Sequence, residues 1–203
     1  MKILMIDNYD SFTYNLVQYL RELTGKSIQV VRNDEVPASY AADFDCIFIS
    51  PGPGVPSESG IILEVIRTFG PSKSIFGVCL GLQAIGEAYG GRLVNLAQVY
   101  HGVNTPVYIR DADEPIFKGI PSPFLAGRYH SWVVDQDQVP DSLVVTAVDG
   151  AGMIMAASHK TYHVKGVQFH PESILTPDGK KILANFLVES ESLFKKQLIE
   201  DTF

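Results

Sequence analysis

The side chain best suited to covalent chemistry in this sequence is a cysteine set between two glycines. Cys79 follows an apolar run that ends at Val78 and suits a buried strand, and residues 81–89 suit a helix. The cysteine therefore falls at a strand-to-helix turn. Gly77 and Gly81 lie two residues to either side of it, where a backbone that doubles back leaves little room for side chains. This arrangement predicts a nucleophile elbow that exposes the thiol.

At such an elbow the thiol also stands at the N-terminus of a helix. The free backbone N–H groups and the helix dipole at that end favour the thiolate, which is the nucleophilic form. The alternative is a buried structural cysteine, which is the commoner fate of a free cysteine. Cys46 fits that alternative, because it lies in the β-prone run 45–49 and has no flanking glycines. The glycines favour the nucleophile at Cys79.

A histidine and a carboxylate that could serve this thiol lie 91 residues downstream, in His170-Pro171-Glu172. Pro171 disfavours a helical backbone at His170, and side chains two apart in an extended backbone point the same way. Glu172 is therefore expected to orient the imidazole, and His170 to take the thiol proton. The alternative is a surface His-Pro turn. The remaining histidines have no carboxylate two residues on: His101, His130, His159 and His163.

A rigid loop, Pro51-Gly52-Pro53-Gly54, directly follows another strand-like run that ends at Ile49. Because proline has no backbone N–H, the free donors of this loop belong to its two glycines. With the N–H of Leu80 beside the nucleophile, they could form an oxyanion hole. An ordinary Pro-Gly turn is the alternative.

The first half of the chain alternates strand-like and helix-like segments, which predicts a parallel sheet with its ligand site at the carboxyl ends of the strands. Cys79 and the 51–54 loop both fall at such ends. The predicted strands cover residues 2–6, 28–32, 45–49 and 75–78, and the predicted helices cover residues 11–23 (capped by Ser11), 58–69 and 81–89.

After Gly90-Gly91 the pattern changes to short β-prone runs, which we expect to pair largely antiparallel around the sheet edge. A final helix is predicted at about 178–189. We predict one domain, residues 1–190, followed by an amphipathic helical tail at 191–203. The short runs cover residues 92–95, 105–109, 124–128, 132–135, 143–148, 153–157 and 163–168.

The composition argues against a nucleic-acid-binding protein and against a membrane protein. The 203 residues include 16 basic and 23 acidic side chains, for a formal charge of −7, and no basic run is present. Nucleic acid is therefore not an expected partner. No apolar stretch approaches the length of a membrane span, and two cysteines suit a reducing compartment better than a disulfide framework. We expect a cytoplasmic protein that needs neither a membrane nor a metal.

These motifs, in this order over nearly the whole chain, resemble the class I (triad) glutamine amidotransferase family. The resemblance implies an α/β fold of the flavodoxin-like type, with a mostly parallel central sheet flanked by helices and an added antiparallel region. Within the family, three further segments resemble the glutaminase components of anthranilate synthase and aminodeoxychorismate synthase. They are residues 7–15, Arg128-Tyr129-His130-Ser131 and Ser173-Ile174-Leu175-Thr176.

The resemblance implies that Cys79 attacks the side-chain amide of L-glutamine, that His170 protonates the departing ammonia, and that water then releases glutamate. It implies no cofactor. Ammonia would pass to a separate chorismate-binding synthase subunit, with anthranilate synthase favoured over aminodeoxychorismate synthase. The resemblance also assigns the oxyanion hole to Gly52 and Leu80, and glutamine binding to Gly52, Pro53, Gly54, Gln83, Ser131 and Trp132.

Three residues depart from the pattern common among relatives: Leu82, Val103 and Trp132. None belongs to the triad. Two other functions fit parts of the pattern. A stand-alone cysteine hydrolase, such as a glutamyl hydrolase, would keep Cys79 and His170 but would be fully active alone. A binding protein with a dead site would carry an unreactive Cys79.

Overall fold

A nine-stranded sheet forms the centre of the computed structural model, which describes residues 1–200. Its strand order is β2-β1-β3-β4-β11-β10-β9-β6-β7, and β5 and β8 form a separate two-stranded sheet. The strands are β1 Ile3–Asp7, β2 Gln29–Arg32, β3 Cys46–Ile49, β4 Ser74–Val78, β5 Leu93–Asn95, β6 Val103–Ile109, β7 Phe124–Arg128, β8 Trp132–Val134, β9 Leu143–Asp149, β10 Ile154–His159 and β11 Val164–Val167.

Four α-helices cover the parallel half of the sheet on both faces: α1 Thr13–Thr24, α2 Ile62–Phe69, α3 Leu80–Ala88 and α4 Gly179–Glu200. Successive side chains of a strand point to opposite faces. In β1, Met5 packs in one apolar cluster with residues of α1 and α4, whereas Leu4 and Ile6 pack in a second cluster with residues of α2 and α3. The continuous apolar strands of the sequence are explained by this burial on both faces.

The five strands β2, β1, β3, β4 and β11 are parallel to one another, and all other pairings, including that of β11 with β10, are antiparallel. The predicted α/β class, with a mostly parallel half and an added antiparallel region, is confirmed. One late strand departs from the expected antiparallel pairing, since β11 lies parallel to β4. It brings the segment that contains His170 directly beside the elbow of Cys79.

Three helix boundaries differ from the prediction by two residues or more, and one of them is the start of α2, which lies at Ile62 rather than at residue 58. Ser11 does not cap α1: the helix begins at Thr13, and the carboxylate of Asp10 accepts the N–H of Phe12 instead. Phe12 is therefore the N-cap residue, and Ser11 lies one residue before the position from which a side chain could cap the helix. Helix α4 continues past the predicted end at residue 189 to Glu200. It includes the described part of the predicted tail, and residues 201–203 lie outside the described residues.

Candidate active site

The nucleophile elbow is present at Cys79, which is the single residue between β4 and α3. The predicted exposure of the thiol is wrong: Cys79 is only 5% exposed, because the neighbouring elements cover the turn. Its backbone lies in the left-handed half of conformational space, with φ 54° and ψ −100°, where side chains other than glycine are strained. The glycines make this turn possible. A Cβ on Gly77 would overlap the backbone of Gly81, and a Cβ on Gly81 would lie 2.7 Å from the carbonyl oxygen of Ile49.

The sheet also fixes the elbow from the side of β11. The N–H of Cys79 donates to the carbonyl of Val167 at 2.7 Å, which continues the ladder between β4 and β11 by one residue. The segment that follows Val167 therefore passes the sulfur closely. His170 is then anchored to β7, because its N–H donates to the carbonyl of Gly127 at 2.9 Å.

His170 and Glu172 form the pair that their spacing predicts, although the backbone between them is not extended. Nδ1 of His170 lies 2.7 Å from Oε1 of Glu172, and both side chains are buried. The two residues belong to a β-turn closed by the N–H of Ser173 on the His170 carbonyl. The predicted extended geometry is therefore wrong. Pro171 occupies the second position of this turn, where its fixed φ is favoured.

The surroundings of His170 favour its charged form. Burial lowers the pKa of the imidazole, but its interactions with the neighbouring Cys79 and Glu172 outweigh this effect and raise that pKa to about 10. Nε2 is buried and has no hydrogen-bond partner among residues 1–200. This nitrogen is therefore available to the sulfur and to a substrate. The rings of Phe12 and Tyr129 pack against the imidazole, at centroid distances of 5.3 and 4.7 Å, and limit the access of water.

A pocket of about 200 Å³ lies at the nucleophile. It brings together all the residues that the sequence assigned to glutamine binding, and it adds two from the strand connection before β8. Its lining consists of Gly52, Pro53, Gly54, Cys79, Gln83, Tyr129, His130, Ser131 and Trp132.

The two proposed oxyanion donors lie next to each other beside this pocket. Leu80 is the first residue of α3, whose first-turn N–H groups have no acceptor within the helix. Within the described part of the chain, no protein acceptor takes the N–H of Leu80 or of Gly52. Gly52 lies so close to Asn8 and Leu80 that an added Cβ would be 2.5 Å from the Asn8 Cβ and 2.9 Å from a Leu80 methyl group. Only glycine fits there.

Gln83 enters the pocket with its amide already oriented. Its Nε2 donates to the carbonyl of Trp132 at 2.8 Å and to Oε1 of Gln168 at 3.4 Å. Both of its N–H groups are thus engaged, and Oε1 is left to accept a hydrogen bond from a ligand. An ammonium group is a suitable donor for that oxygen.

Sequence reasoning missed a polar cluster behind this wall of the pocket. Arg128 is only 1% exposed, pairs with Asp149 at 2.6 Å and lies over the ring of Tyr100 at 3.6 Å. It donates through Nε to Nε2 of His130. Gln168, on the other side of Gln83, is fully buried. The sequence singles out Arg128 and His130 only as part of the segment 128–131 and gives no sign of a role for Gln168. Their pairing with Asp149 and Gln83 is made by the fold.

The departures from the common pattern lie in three different places. Leu82 packs in a buried cluster with Val134 and Ile154, away from the pocket. Val103 is the exposed first residue of β6. Trp132 alone lines the pocket, and its carbonyl accepts from both Gln83 and His130.

Residues 1–200 contain no group of three or more histidine, cysteine, aspartate or glutamate side chains arranged to hold a metal ion. In the same part of the chain, no helix is both long enough and apolar enough to cross a membrane.

Comparisons with known proteins agree with this geometry. The family model described as "Glutamine amidotransferase class-I" matches residues 4–190. Anthranilate synthase beta subunit 1 of Oryza sativa subsp. japonica is 50% identical over 201 residues, which cover 96% of this chain and 69% of that one. Anthranilate synthase component 2 of Pseudomonas putida is 49% identical over 94% of this chain and 98% of its own.

Two further relatives extend the comparison. Aminodeoxychorismate/anthranilate synthase component 2 of Bacillus subtilis (strain 168) is 45% identical over 97% of this chain and 99% of its own. The crystal structure of a provisionally assigned GMP synthase subunit from Thermoplasma acidophilum superposes with a TM-score of 0.86 at 28% identity and covers 97% of both chains. The match over residues 4–190 and the shared fold establish that this chain belongs to the class I glutamine amidotransferase family.

Proposed function

We propose that this chain is the glutaminase subunit of a chorismate-using synthase, most closely of the anthranilate synthase type. The observation that carries the proposal is the convergence of Cys79, His170 and Glu172 at a pocket walled by Gly52 and Gln83. The names of the rice and Pseudomonas relatives support the anthranilate assignment.

The geometry supports acyl transfer through a thioester. The Cys79 sulfur attacks the side-chain carbonyl carbon of L-glutamine, and the oxygen becomes an oxyanion near the N–H groups of Gly52 and Leu80. Nε2 of His170 gives its proton to the departing nitrogen, which leaves as ammonia while the C–N bond breaks. The neutral imidazole then takes a proton from water, whose oxygen cleaves the thioester to glutamate and restores the thiolate.

The pocket suggests how the amino-acid end of glutamine is held. Oε1 of Gln83 would accept from the α-ammonium group, and the backbone around Ser131 and Trp132 would contact the same end of the substrate. Residues 53 and 54 would close the opposite wall. The Trp132 carbonyl already accepts two hydrogen bonds, so its role is to fix Gln83 rather than to bind the ammonium group itself.

Ammonia is useful only if it reaches an acceptor before it is protonated or lost, which favours a partner protein over a free hydrolase. Ile174, two residues beyond Glu172, is 93% exposed, and Tyr9 and Tyr14 near the first strand end are also exposed. Exposed apolar side chains around a catalytic rim suit a docked protein. We propose a synthase subunit that binds chorismate as the occupant.

The test is glutamine-dependent formation of anthranilate from chorismate by this chain mixed with an anthranilate synthase large subunit of the same organism. We expect product with glutamine, none above background with Cys79→Ala, and unchanged product when ammonium salt replaces glutamine in either mixture. The ammonium reaction is the control for a working partner.

Two outcomes would redirect the assignment. A working ammonium reaction without any glutamine-dependent product would contradict the anthranilate role, and the same mixture with an aminodeoxychorismate synthase large subunit would be tested next, since the Bacillus relative is named for both reactions. Full glutaminase activity without a partner would instead identify a stand-alone hydrolase.

A further inference from the structure

A second hydrogen-bond donor reaches the nucleophile from the side of β11. Nε2 of Gln168 lies 3.5 Å from the Cys79 sulfur, within hydrogen-bond range for sulfur. Gln168 is fully buried, and its backbone N–H is fixed on the carbonyl of Met155 at 2.8 Å. Two residues further on, His170 approaches the same sulfur. The segment that follows β11 thus brings two polar side chains, those of Gln168 and His170, to the same sulfur.

The orientation of the Gln168 amide is determined by its neighbours. The Trp132 carbonyl only accepts, so the atom of Gln83 that lies 2.8 Å from it must be the nitrogen. The second N–H of that nitrogen points at Gln168, whose facing atom must therefore be the oxygen. The Gln168 nitrogen is left for the sulfur. No other assignment of these two amides gives the Gln83 nitrogen an acceptor at both of its contacts.

The hydrogen bonds continue from the Trp132 carbonyl to His130 and Arg128, and the donors and acceptors at this end are also determined. Arg128 only donates, so Nε2 of His130 accepts and Nδ1 carries the proton that is given to the Trp132 carbonyl. Burial and the charge of Arg128 lower the pKa of His130 to about 3, which agrees with a neutral ring. Asp149 holds the guanidinium from its other side. The donor and acceptor atoms of His130, Gln83 and Gln168 are therefore all determined by their neighbours.

We propose that Gln168 stabilises the Cys79 thiolate through its amide N–H, and that Gln83, which holds the Gln168 amide in place, couples the glutamine pocket to the reactivity of the sulfur. This role rests on the proposed glutaminase function, in which the same thiolate attacks the substrate. It assigns to Gln168 a function for which local sequence gives no direct sign. Gln83 acts as a positioning residue for it, in addition to touching the ligand.

Gln168→Glu tests the donor with little change of shape. The carboxylate can still accept from Gln83 but brings a negative charge to the sulfur in place of an N–H. The readout is the pH dependence of Cys79 alkylation by iodoacetamide, with Cys79→Ala as the blank. Because a hydrogen bond to a charged group contributes about one to two pH units, we expect the pH midpoint of alkylation to rise by at least about one unit.

Two further variants complete the test. Gln168→Met removes the donor without adding charge, and we expect a smaller rise in the midpoint; it also serves if the glutamate variant does not fold. Gln83→Met frees the Gln168 amide, and we expect a rise in the same direction with a higher KM for glutamine. For the Gln168 variants, kcat should fall about tenfold or more with little change in KM.

Phe169→Leu is the matched control. Phe169 is equally buried and adjacent in sequence, but its ring packs against Phe124 on the other side of the segment. We expect this variant to lower thermal stability without moving the alkylation midpoint. A midpoint that is unchanged in both Gln168 variants would overturn the proposal. So would an equal shift in Phe169→Leu, because the effect would then come from packing alone.

The experiment separates this inference from the proposed function. Alkylation by iodoacetamide needs neither glutamine nor a partner protein. A shifted midpoint in a chain that hydrolyses no glutamine, even when mixed with a synthase subunit that works with ammonium, would support Gln168 as a thiolate donor and contradict the glutaminase assignment. An active glutaminase whose Gln168 variants show unshifted alkylation midpoints would support the proposed function and contradict the role of Gln168.

Discussion

At the scale of single residues, the site depends on charge states that the interior imposes. His170 is held in its protonated form by the carboxylate of Glu172 and by the sulfur, whereas His130, in the wall of the same pocket, is held neutral by burial and Arg128. One histidine can therefore deliver a proton at neutral pH, and the other serves as a fixed hydrogen-bond relay.

The neutral state of His130 predicts a pH-dependent stability. The unfolded chain binds a proton at this residue with a pKa of about 6.5, but the folded chain does so only near pH 3. The stabilisation is therefore complete above about pH 6.5 and is lost progressively as the pH falls. Between about pH 7 and pH 5 this group alone should remove about 2 kcal/mol from the free energy of unfolding.

Urea unfolding of the wild type and His130→Gln at about pH 7 and pH 5 measures this contribution. The glutamine oxygen can still accept from Arg128, so the variant should lose about 2 kcal/mol less than the wild type over this range. An equal loss of unfolding free energy between about pH 7 and pH 5 in the two proteins would show that His130 does not titrate as described.

At the scale of elements, the elbow is a junction of β3, β4 and α3 with no spare volume. The overlap between an alanine methyl at residue 81 and the Ile49 carbonyl, at 2.7 Å, involves backbone on both sides and cannot be relieved by a rotamer change. We therefore expect Gly81→Ala to cost about 2 to 4 kcal/mol of stability and to abolish Cys79 alkylation. Thermal unfolding and iodoacetamide labelling measure the two effects.

Gly150→Ala is the control for this substitution. An added Cβ there meets only a carbon of the Tyr108 ring at 3.9 Å, which is ordinary contact. Stability and labelling should remain near the wild-type values. If Gly81→Ala were as well tolerated, the tight approach of α3 to β3 would not be a requirement of the site.

The elements also explain what the sequence could and could not reveal. The elbow was predictable because its cause is local: two glycines around one cysteine. The pairing of His170 with Glu172 was predictable from spacing, although the backbone turns between them. The partners of Gln168, Arg128 and His130 come from strands far apart in sequence, so no local pattern could identify their roles. Ser11 is not the cap because α1 begins at Thr13, with Phe12 in the N-cap position.

At the scale of the whole molecule, the proposed partner surface makes a separate prediction. Ile174→Glu places a charge on the exposed apolar rim beside the triad without disturbing buried contacts. With the synthase subunit present, we expect glutamine-dependent product to fall at least about tenfold, because a desolvated charge opposes docking. Iodoacetamide labelling of Cys79 in the isolated chain should be unchanged.

Val188→Glu provides the comparison, since Val188 is an exposed apolar residue of α4. This variant should support product formation at the wild-type level. Equal product from Ile174→Glu and the wild type would place the partner elsewhere on the surface.

The pairing of β4 with β11 has a consequence for the order in which the chain acquires its structure. Val78 pairs with Val167 across 89 residues (167 minus 78), so this contact closes late in folding. Until it closes, the cysteine lacks its histidine and its second donor. During synthesis, the site therefore stays incomplete until residues 164–172 have left the ribosome, and a change in the labelling rate of Cys79 would report the completion of folding.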